Sequence, residues 1–120
     1  MGITYRIYLD MEQHQYHKIY ACSKCKSHLT TAQRLISKDF HGLHGKAYLF
    51  DKVVNVKVSN EQEERIMTTG RHCISFIACA NCERDLGWKY VRAYEPDQKY
   101  KEGKYILEKC SLRMLNSPIS

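Results

Sequence analysis

Two Cys-x-x-Cys pairs, Cys22 with Cys25 and Cys79 with Cys82, constrain this chain more than any other feature of its sequence. Two residues between the cysteines let a tight turn direct both sulfurs at one ion, with Zn–S bonds of about 2.3 Å. Two such turns supply four thiolates, which complete a tetrahedral zinc site and leave no open position for water or substrate. The sequence therefore predicts one structural Zn²⁺ held by Cys22, Cys25, Cys79 and Cys82.

The long interval between the two pairs indicates how much the metal should matter. Residues 26–78 separate them, which is enough chain for several strands. Closing so long a loop removes much entropy from the unfolded chain, so loss of zinc should unfold the protein. Two disulfides are the alternative use of the four thiols. Disulfides are typical of secreted proteins, however, and no apolar signal segment opens this chain.

The composition is that of one soluble globular domain. The chain has 120 residues, of which 43% are hydrophobic and 27% charged, and no apolar run approaches the roughly 20 residues that span a bilayer. The formal net charge of +6 falls to +4 in the zinc-bound state, because four thiolates contribute −4 and the ion +2. That modest excess favours protein partners over nucleic acid, and we expect a cytoplasmic and nuclear protein.

Lysines and tyrosines alternate in the last quarter of the chain. Lys99, Lys101 and Lys104 are interleaved with Tyr100 and Tyr105. Such a run could stack the bases of a single-stranded nucleic acid. A solvated strand face is the commoner meaning of a charged run, and it is the interpretation preferred here.

The hydrophobic pattern predicts a mainly β fold. Ile3, Tyr5, Ile7 and Leu9 alternate with polar residues, which is typical of a strand with one apolar face. Runs rich in β-branched and aromatic residues predict further strands, and one short helix is expected near Thr31. The further predicted strands span residues 19–21, 46–58, 72–78, 86–94 and 104–114. This pattern divides the chain into an N-terminal strand and loop over 1–18 and one domain over 19–115.

A wider set of residues surrounds the two cysteine pairs: Cys22-x-x-Cys25, Gly45, Leu49, Asn55, Gly70, Cys79-x-x-Cys82 and Gly87-Trp88-Lys89. This set resembles the signature of the Yippee family, and the resemblance covers about residues 20–109. The interval between Asn55 and Gly70 is one residue longer than the usual pattern. The extra residue falls in the charged loop at 59–64, away from the expected core.

The resemblance implies a fold and a function. The implied fold is a single β-tent domain of two antiparallel sheets with one zinc ion near the apex, as in the drug-binding domain of cereblon and the methionine-R-sulfoxide reductases. The start, MGITYRIYLD, and the run 64–72 resemble the branch that includes yippee-like protein five and its fungal counterpart. That branch implies a non-catalytic adaptor or regulatory subunit of a GID/CTLH-type E3 ubiquitin ligase, which contacts a WD40-propeller subunit.

An enzymatic alternative is methionine-sulfoxide reduction. Those reductases have a Leu-Gly-His step after the second cysteine pair, where this chain has Trp88 in place of the histidine. Arg71-His72-Cys73 resembles their nucleophile strand, but it precedes the second pair instead of following it. Because the motif fails, we predict no enzymatic activity. Cys73 and Cys110 are interpreted as buried small hydrophobic residues.

Aromatic residues near the second cysteine pair indicate a possible ligand groove. Trp88, the only tryptophan, and Tyr90 lie two residues apart and so share a strand face, while Phe76 is the only large aromatic residue between Gly70 and Ala78. The resemblance to cereblon does not extend to imide binding, because that cage needs two further tryptophans. The hypothesis is a groove for a peptide or small ligand, and the alternative is that Trp88 is only a core residue.

The N-terminal strand is a candidate partner-binding segment. Met1, Gly2, Ile3 and Tyr5 could add a strand to a partner or enter a propeller pocket, and the alternative is that the strand pairs within its own domain.

Four histidines form two pairs at a spacing of three, His14 with His17 and His41 with His44. On a strand this spacing points the two rings to opposite faces, and no neighbouring carboxylate or cysteine completes either pair as a site. We therefore expect solvated loop histidines and no second metal.

Overall fold

The computed structural model describes residues 17–117. The strand predicted at 3–9, the histidine His14 and the partner-binding residues Met1, Gly2, Ile3 and Tyr5 lie outside the described residues. Residues 17–117 contain no helix with the length and hydropathy of a membrane span.

The described chain is built from ten strands and three short 3₁₀ helices. In chain order the strands are β1 His17–Cys22, β2 His28–Thr31, β3 Leu35–Gly42, β4 Gly45–Phe50, β5 Val56–Val58, β6 Glu63–Met67, β7 Gly70–Cys79, β8 Asp85–Ala93, β9 Tyr105–Glu108 and β10 Leu112–Ser117. The helices are Ala32–Arg34, Pro96–Lys101 and Lys109–Ser111. The short helix expected near Thr31 is thus present, and the mainly β prediction is confirmed.

The strands form two antiparallel sheets. The smaller sheet has the order β10-β1-β2, and the larger has the order β3-β4-β9-β8-β7-β5. Strand β6 also pairs with β7, next to the segment of β7 that pairs with β5. The two-sheet architecture expected from the family resemblance is therefore observed.

The single strand predicted at 46–58 is wrong, because the chain leaves the large sheet between β4 and β5. The Val54 N–H donates to the Leu29 carbonyl at 2.8 Å, and the Thr30 hydroxyl donates to the Lys52 carbonyl at 2.6 Å. Asn55 then adopts a positive φ of 62°, a conformation that asparagine tolerates better than most residues. These bonds to β2 of the small sheet interrupt a segment whose composition favours strand throughout.

The strand predicted at 104–114 is also two strands. Strand β9 lies between β4 and β8 in the large sheet, and the helix Lys109–Ser111 redirects the chain so that β10 pairs with β1 in the small sheet. The buried Ser111 hydroxyl donates to the Asp85 carbonyl at 3.0 Å and holds this corner against β8. The chain therefore passes from one sheet to the other at this point.

The large sheet buries side chains on both faces. Phe50 and Leu107 belong to a cluster that also includes Tyr20 and the buried cysteines, whereas Leu49 and Ile106 belong to a second cluster with Trp88 and Tyr90. Neighbouring residues of one strand point to opposite faces, so β4 and β9 each contribute to both clusters. The first cluster thus includes the buried cysteines, and the second includes the aromatic residues Trp88 and Tyr90.

Candidate metal centre and aromatic groove

The two cysteine pairs occupy equivalent turns at the ends of two strands. After β1, the Lys26 N–H donates to the Cys22 carbonyl at 2.8 Å, and after β7 the Glu83 N–H donates to the Cys79 carbonyl at 2.8 Å. Lys26 and Glu83 have positive φ values of 67° and 66°. Each turn therefore closes one residue after its second cysteine, which directs both sulfurs of the pair to the same side.

The four sulfurs converge on one point. Sγ of Cys22 lies 3.5 Å from Sγ of Cys82, and Sγ of Cys25 lies 3.6 Å from Sγ of Cys79. All four sulfurs lie within 4.8 Å of one another. Tetrahedral Zn–S bonds of about 2.3 Å place sulfurs about 3.8 Å apart, so the arrangement fits one zinc ion. It does not fit disulfides, whose sulfurs are about 2.05 Å apart.

The electrostatics of the four thiols also favour a bound cation. Hydrogen bonds with Ser27 and Asn81 lower the pKa of Cys25 to about 5. The pKa of Cys82 rises to about 11: a backbone hydrogen bond from Arg84 lowers it, but desolvation and the neighbouring thiols outweigh that effect. The negative charge of one thiolate therefore makes it harder for a neighbouring thiol to lose its proton. A divalent cation removes this conflict by balancing the charge of all four.

The metal centre joins the two sheets. Cys22 ends β1 of the small sheet and Cys79 ends β7 of the large sheet, and both residues are fully buried. A zinc ion bound here cross-links the sheets and leaves no coordination position for a substrate. The zinc ligands predicted from the sequence are therefore brought together by the fold, and the centre is structural.

The three residues proposed as a ligand groove lie together on the second face of the large sheet. Phe76 of β7 pairs in register with Trp88 of β8, and the rings of Trp88 and Tyr90 meet edge to face at 6.2 Å. All three line one cavity of about 540 Å³. Trp88 is 4% exposed, so it is both a core residue and a wall of this cavity. The two interpretations made from the sequence are therefore compatible.

Lys101 is a groove residue that the sequence analysis missed. It was expected on a solvated strand face, but it ends the 3₁₀ helix Pro96–Lys101 and is 3% exposed. Its ammonium donates to the Thr69 hydroxyl at 3.1 Å, and burial lowers its pKa. The available signal was Pro96, because proline often begins a helix and breaks a strand. Residues three apart eclipse in a 3₁₀ helix, so Gln98 and Lys101 both face the groove.

A second cluster of possible ligand atoms was also missed. His44, Glu108 and Cys110 bring one nitrogen, oxygen or sulfur each within 4.8 Å of one another. The expectation that no carboxylate or cysteine lies near His44 is therefore wrong, because β9 brings Glu108 to the β3–β4 turn. The Glu108 carboxylate accepts hydrogen bonds from the backbone N–H groups of Leu43 and His44, both at 2.9 Å. These bonds give the buried carboxylate a structural role in that turn.

The two remaining cysteines differ in their surroundings. Cys73 is buried, as expected, and its pKa is raised first by desolvation and then by the charge of Glu64. A raised pKa disfavours the thiolate that a nucleophilic cysteine needs. Cys110 is exposed, so its interpretation as a buried hydrophobic residue is wrong. The corner at Lys109–Ser111 turns its side chain outward instead of into a sheet.

Comparison with known proteins gives consistent matches over this domain. A family model described as Yippee zinc-binding/DNA-binding/Mis18, centromere assembly, matches residues 18–118. The chain is 50% identical to Protein yippee-like 3 of Homo sapiens over 105 residues, which are 88% of this chain and 84% of that protein. It is 49% identical to Protein yippee-like 4 of Mus musculus over 105 residues, with coverages of 88% and 79%.

A solved structure has the same fold. The crystal structure of a Mis18 Yippee-like domain superimposes with a TM-score of 0.66 at 16% sequence identity, and the match covers 82% of this chain and 95% of that one. At this identity the likeness concerns the fold alone.

Proposed function

This chain belongs to the Yippee family of zinc-binding proteins, and on that premise we propose that it is a non-catalytic adaptor or regulatory subunit of a GID/CTLH-type E3 ubiquitin ligase that contacts a WD40-propeller subunit. The observation that carries the non-catalytic part is the closed four-thiolate centre of Cys22, Cys25, Cys79 and Cys82. Zinc bound there supplies a cross-link between the sheets and no Lewis-acid site for a substrate. The protein then acts through its surface.

The partner in this proposal is supported by the sequence resemblance and by one exposed strand. Residues 1–10 and 64–72 carry the resemblance to the ligase-associated branch. In the described structure, β6 overlaps the start of the second run, and its residue Ile66 is 84% exposed. Among residues 17–117, β6 pairs with β7 alone, so its other edge can add a strand from a partner next to Ile66. The proposed partner-binding residues of the first run are Met1, Gly2, Ile3 and Tyr5.

The charge distribution supports a protein partner over nucleic acid. Several basic side chains are held by acids: Arg34 by Asp51, Lys57 by Glu83, Arg65 by Glu63 and Lys99 by Glu102. Ion pairs of this kind reduce the continuous positive potential that a phosphate backbone requires. Cytoplasmic and nuclear location remains part of the proposal.

Binding of the purified protein to a purified WD40 subunit of such a ligase tests the proposal. We expect a stable complex after nuclease treatment, and loss of the complex on deletion of residues 1–9 with unchanged thermal stability. Tyr5→Ala should weaken the complex. Tyr8→Ala is a matched control, because the strand predicted from the sequence would direct Tyr5 and Tyr8 to opposite faces. Unchanged binding by the deletion variant together with reduced stability would favour pairing of this strand within its own domain. Salt-dependent binding to bulk DNA without the WD40 contact would favour a nucleic-acid role instead.

A second candidate function is a ligand reader, and the groove favours it. A cavity of about 540 Å³ walled by Phe76, Trp88 and Tyr90 lies within the size range of about 300–1,000 Å³ that small-molecule sites occupy. Since Trp88 is the only tryptophan, its fluorescence reports directly on this groove. Titration with candidate ligands should change that emission, whereas no response from a broad ligand set would contradict the reader function.

A further inference from the structure

The aromatic groove contains buried polar atoms without hydrogen-bond partners. Within residues 17–117, these atoms include Nε1 of Trp88 and Oε1 of Gln98, and both residues line the groove. Burial raises the pKa of Tyr90, and the nearby indole N–H of Trp88 partly opposes that rise. The distance and angle between the two groups nevertheless do not make a hydrogen bond of ordinary geometry. Native proteins seldom leave such groups unsatisfied, so a bound molecule is expected to pair with them.

A buried cation lies at the same groove. The Lys101 ammonium is 5.2 Å from the ring centre of Phe40, 5.4 Å from that of Tyr90 and 6.0 Å from that of Tyr100. All three rings line the groove. Thr69 accepts one of the three N–H donors of the ammonium. The faces of aromatic rings stabilise a cation, but they do not accept ordinary hydrogen bonds from the other two N–H donors of the ammonium.

The ammonium has no carboxylate partner in the described part of the chain. No Asp or Glu oxygen among residues 17–117 lies within 4.0 Å of Nζ of Lys101, and Asp97 acts on it only through space. Asp39 is the acidic residue among those that line the groove, and it is exposed. The other lining cation, Arg65, is already paired with Glu63. Within residues 17–117, the groove therefore offers one buried positive charge that no carboxylate of the described chain neutralises.

We propose that this groove binds a small apolar carboxylate, whose charge pairs with the Lys101 ammonium and whose hydrocarbon part packs between Phe76 and Trp88. This inference rests on the second proposed function, the ligand reader, and is independent of the ligase contact. A carboxylate has enough acceptor sites to pair with Lys101 and also to accept from Trp88. The single available ammonium favours a singly charged carboxylate over a phosphate, which is typically bound by several donors.

The charge preference can be measured on the wild-type protein. The probes are 4-phenylbutyrate and its neutral amide of the same shape, 4-phenylbutyramide, each titrated against the zinc-loaded full chain. Trp88 fluorescence and backbone amide NMR shifts report binding. We expect the acid to bind at least about tenfold more tightly than the amide, which is the usual scale of a charge-assisted hydrogen bond. Phenyl phosphate is the third probe, and we expect it to bind no more tightly than the acid.

Variants separate the role of Lys101 from general charge. Lys101→Met keeps the length and packing of the side chain and should abolish the preference for the acid. Lys99→Met is the matched control: Lys99 belongs to the same 3₁₀ helix but is exposed, so its loss should leave the preference intact. If Lys101→Met does not fold, the comparison of acid and amide on the wild-type protein decides the question.

Three outcomes would overturn the inference. Equal binding of acid and amide would reject the carboxylate but keep the groove as a ligand site. Tighter binding of phenyl phosphate would reject the choice of a singly charged ligand. Absence of any response from the three probes at millimolar concentration would reject the carboxylate site altogether, with no bearing on the ligase contact.

Discussion

Cys22 and Cys82 are 60 residues apart in the chain, yet their sulfurs lie 3.5 Å apart. The same relationship holds between Cys25 and Cys79, 54 residues apart, at 3.6 Å. Both of these short sulfur–sulfur contacts therefore join one turn to the other. The metal site therefore forms where the two sheets meet, and neither cysteine pair is a complete site by itself. A metal bound there should contribute strongly to the stability of the fold.

Removal of zinc should unfold the protein. Structural zinc contributes about 10–16 kcal/mol in zinc-finger peptides, which exceeds the total stability of most small domains. We expect one zinc per chain by elemental analysis and loss of cooperative melting after chelation. Cys79→Ser should have the same effect, whereas Cys110→Ser, at an exposed cysteine outside the quartet, should keep both metal and melting temperature. A chelated protein that melts as before would contradict a structural role for the metal.

Gly87→Ala should prevent the close approach of β8 and β9. A Cβ at Gly87 would collide with the backbone carbonyl of Ile106 in the neighbouring strand, and the φ of Gly87 is +155°. Backbone atoms cannot rotate away as a side chain can, so we expect a loss of several kcal/mol or no folded protein. Gly103→Ala is the control, because its φ is +81° but its Cβ would meet no atom within 4 Å. Backbone strain alone should lower the free energy of unfolding of Gly103→Ala by about 1–3 kcal/mol, measured by chemical denaturation.

Loss of the Glu108 carboxylate should destabilise the β3–β4 turn. Glu108→Ala removes the acceptor of two backbone N–H groups, and we expect a loss of about 1–3 kcal/mol in urea denaturation. The ion pair with His44 is minor, because the His44 side chain is 67% exposed and exposed pairs contribute little. His44→Ala should therefore be close to neutral. A larger effect of His44→Ala than of Glu108→Ala would show that the charge pair, not the backbone bonds, is the important interaction.

Acid should destabilise the fold through His72. This residue is fully buried, and desolvation lowers its pKa below the usual 6.5, although a hydrogen bond with the Gly70 carbonyl opposes the shift. The folded state therefore binds fewer protons than the unfolded state, so stability is present above about pH 6.5 and falls as the pH drops towards the folded-state pKa. His72→Gln removes this titration and should reduce the slope of stability against pH between about 7 and 5. His28, whose pKa burial also lowers, contributes a remaining slope, and equal slopes in wild type and His72→Gln would contradict the prediction.

Only one of the two cysteines outside the metal centre should react readily. The exposed Cys110 should be alkylated by iodoacetamide in the native zinc-loaded protein, while burial and a raised pKa should protect Cys73. Mass spectrometry after brief labelling should find a single modified site, and Cys110→Ser should remove it. We also expect no turnover of methionine-R-sulfoxide with a thiol reductant. Turnover that disappears in Cys73→Ser would support the reductase alternative.

The sequence predicts the ligands of the metal centre and the aromatic residues of the candidate groove better than the residues around them. Trp88 and Tyr90 are recognisable because aromatic residues at a spacing of two share a strand face. The pairing of β7 with β8 then places Phe76 opposite Trp88. Lys101 was not recognisable as a buried cation. Its burial depends on rings from β3 and β8 that are distant in sequence, Phe40 and Tyr90. Composition alone favours the solvated lysine that was expected.

The interruptions of the two long predicted strands also depend on contacts with residues that are distant in sequence. Residues 46–58 and 104–114 have strand composition throughout, and β-propensity describes only how well a residue fits a pleated surface. The chain breaks at Lys52 and Val54 because β2 supplies their hydrogen-bond partners, and it bends at Ser111 because β8 supplies an acceptor. Those partners are set by the packing of one sheet on the other.

By itself the sequence determined the metal ligands and the mainly β character of the chain, since cysteine spacing and alternating hydrophobicity are properties of a few adjacent residues. Only the tertiary structure decided where the chain crosses between sheets, which cation lines the aromatic groove, and that Glu108 and Cys110 meet His44. Each of these depends on hydrogen bonds and packing between residues that are far apart in sequence, and local patterns carry no record of which distant groups will meet.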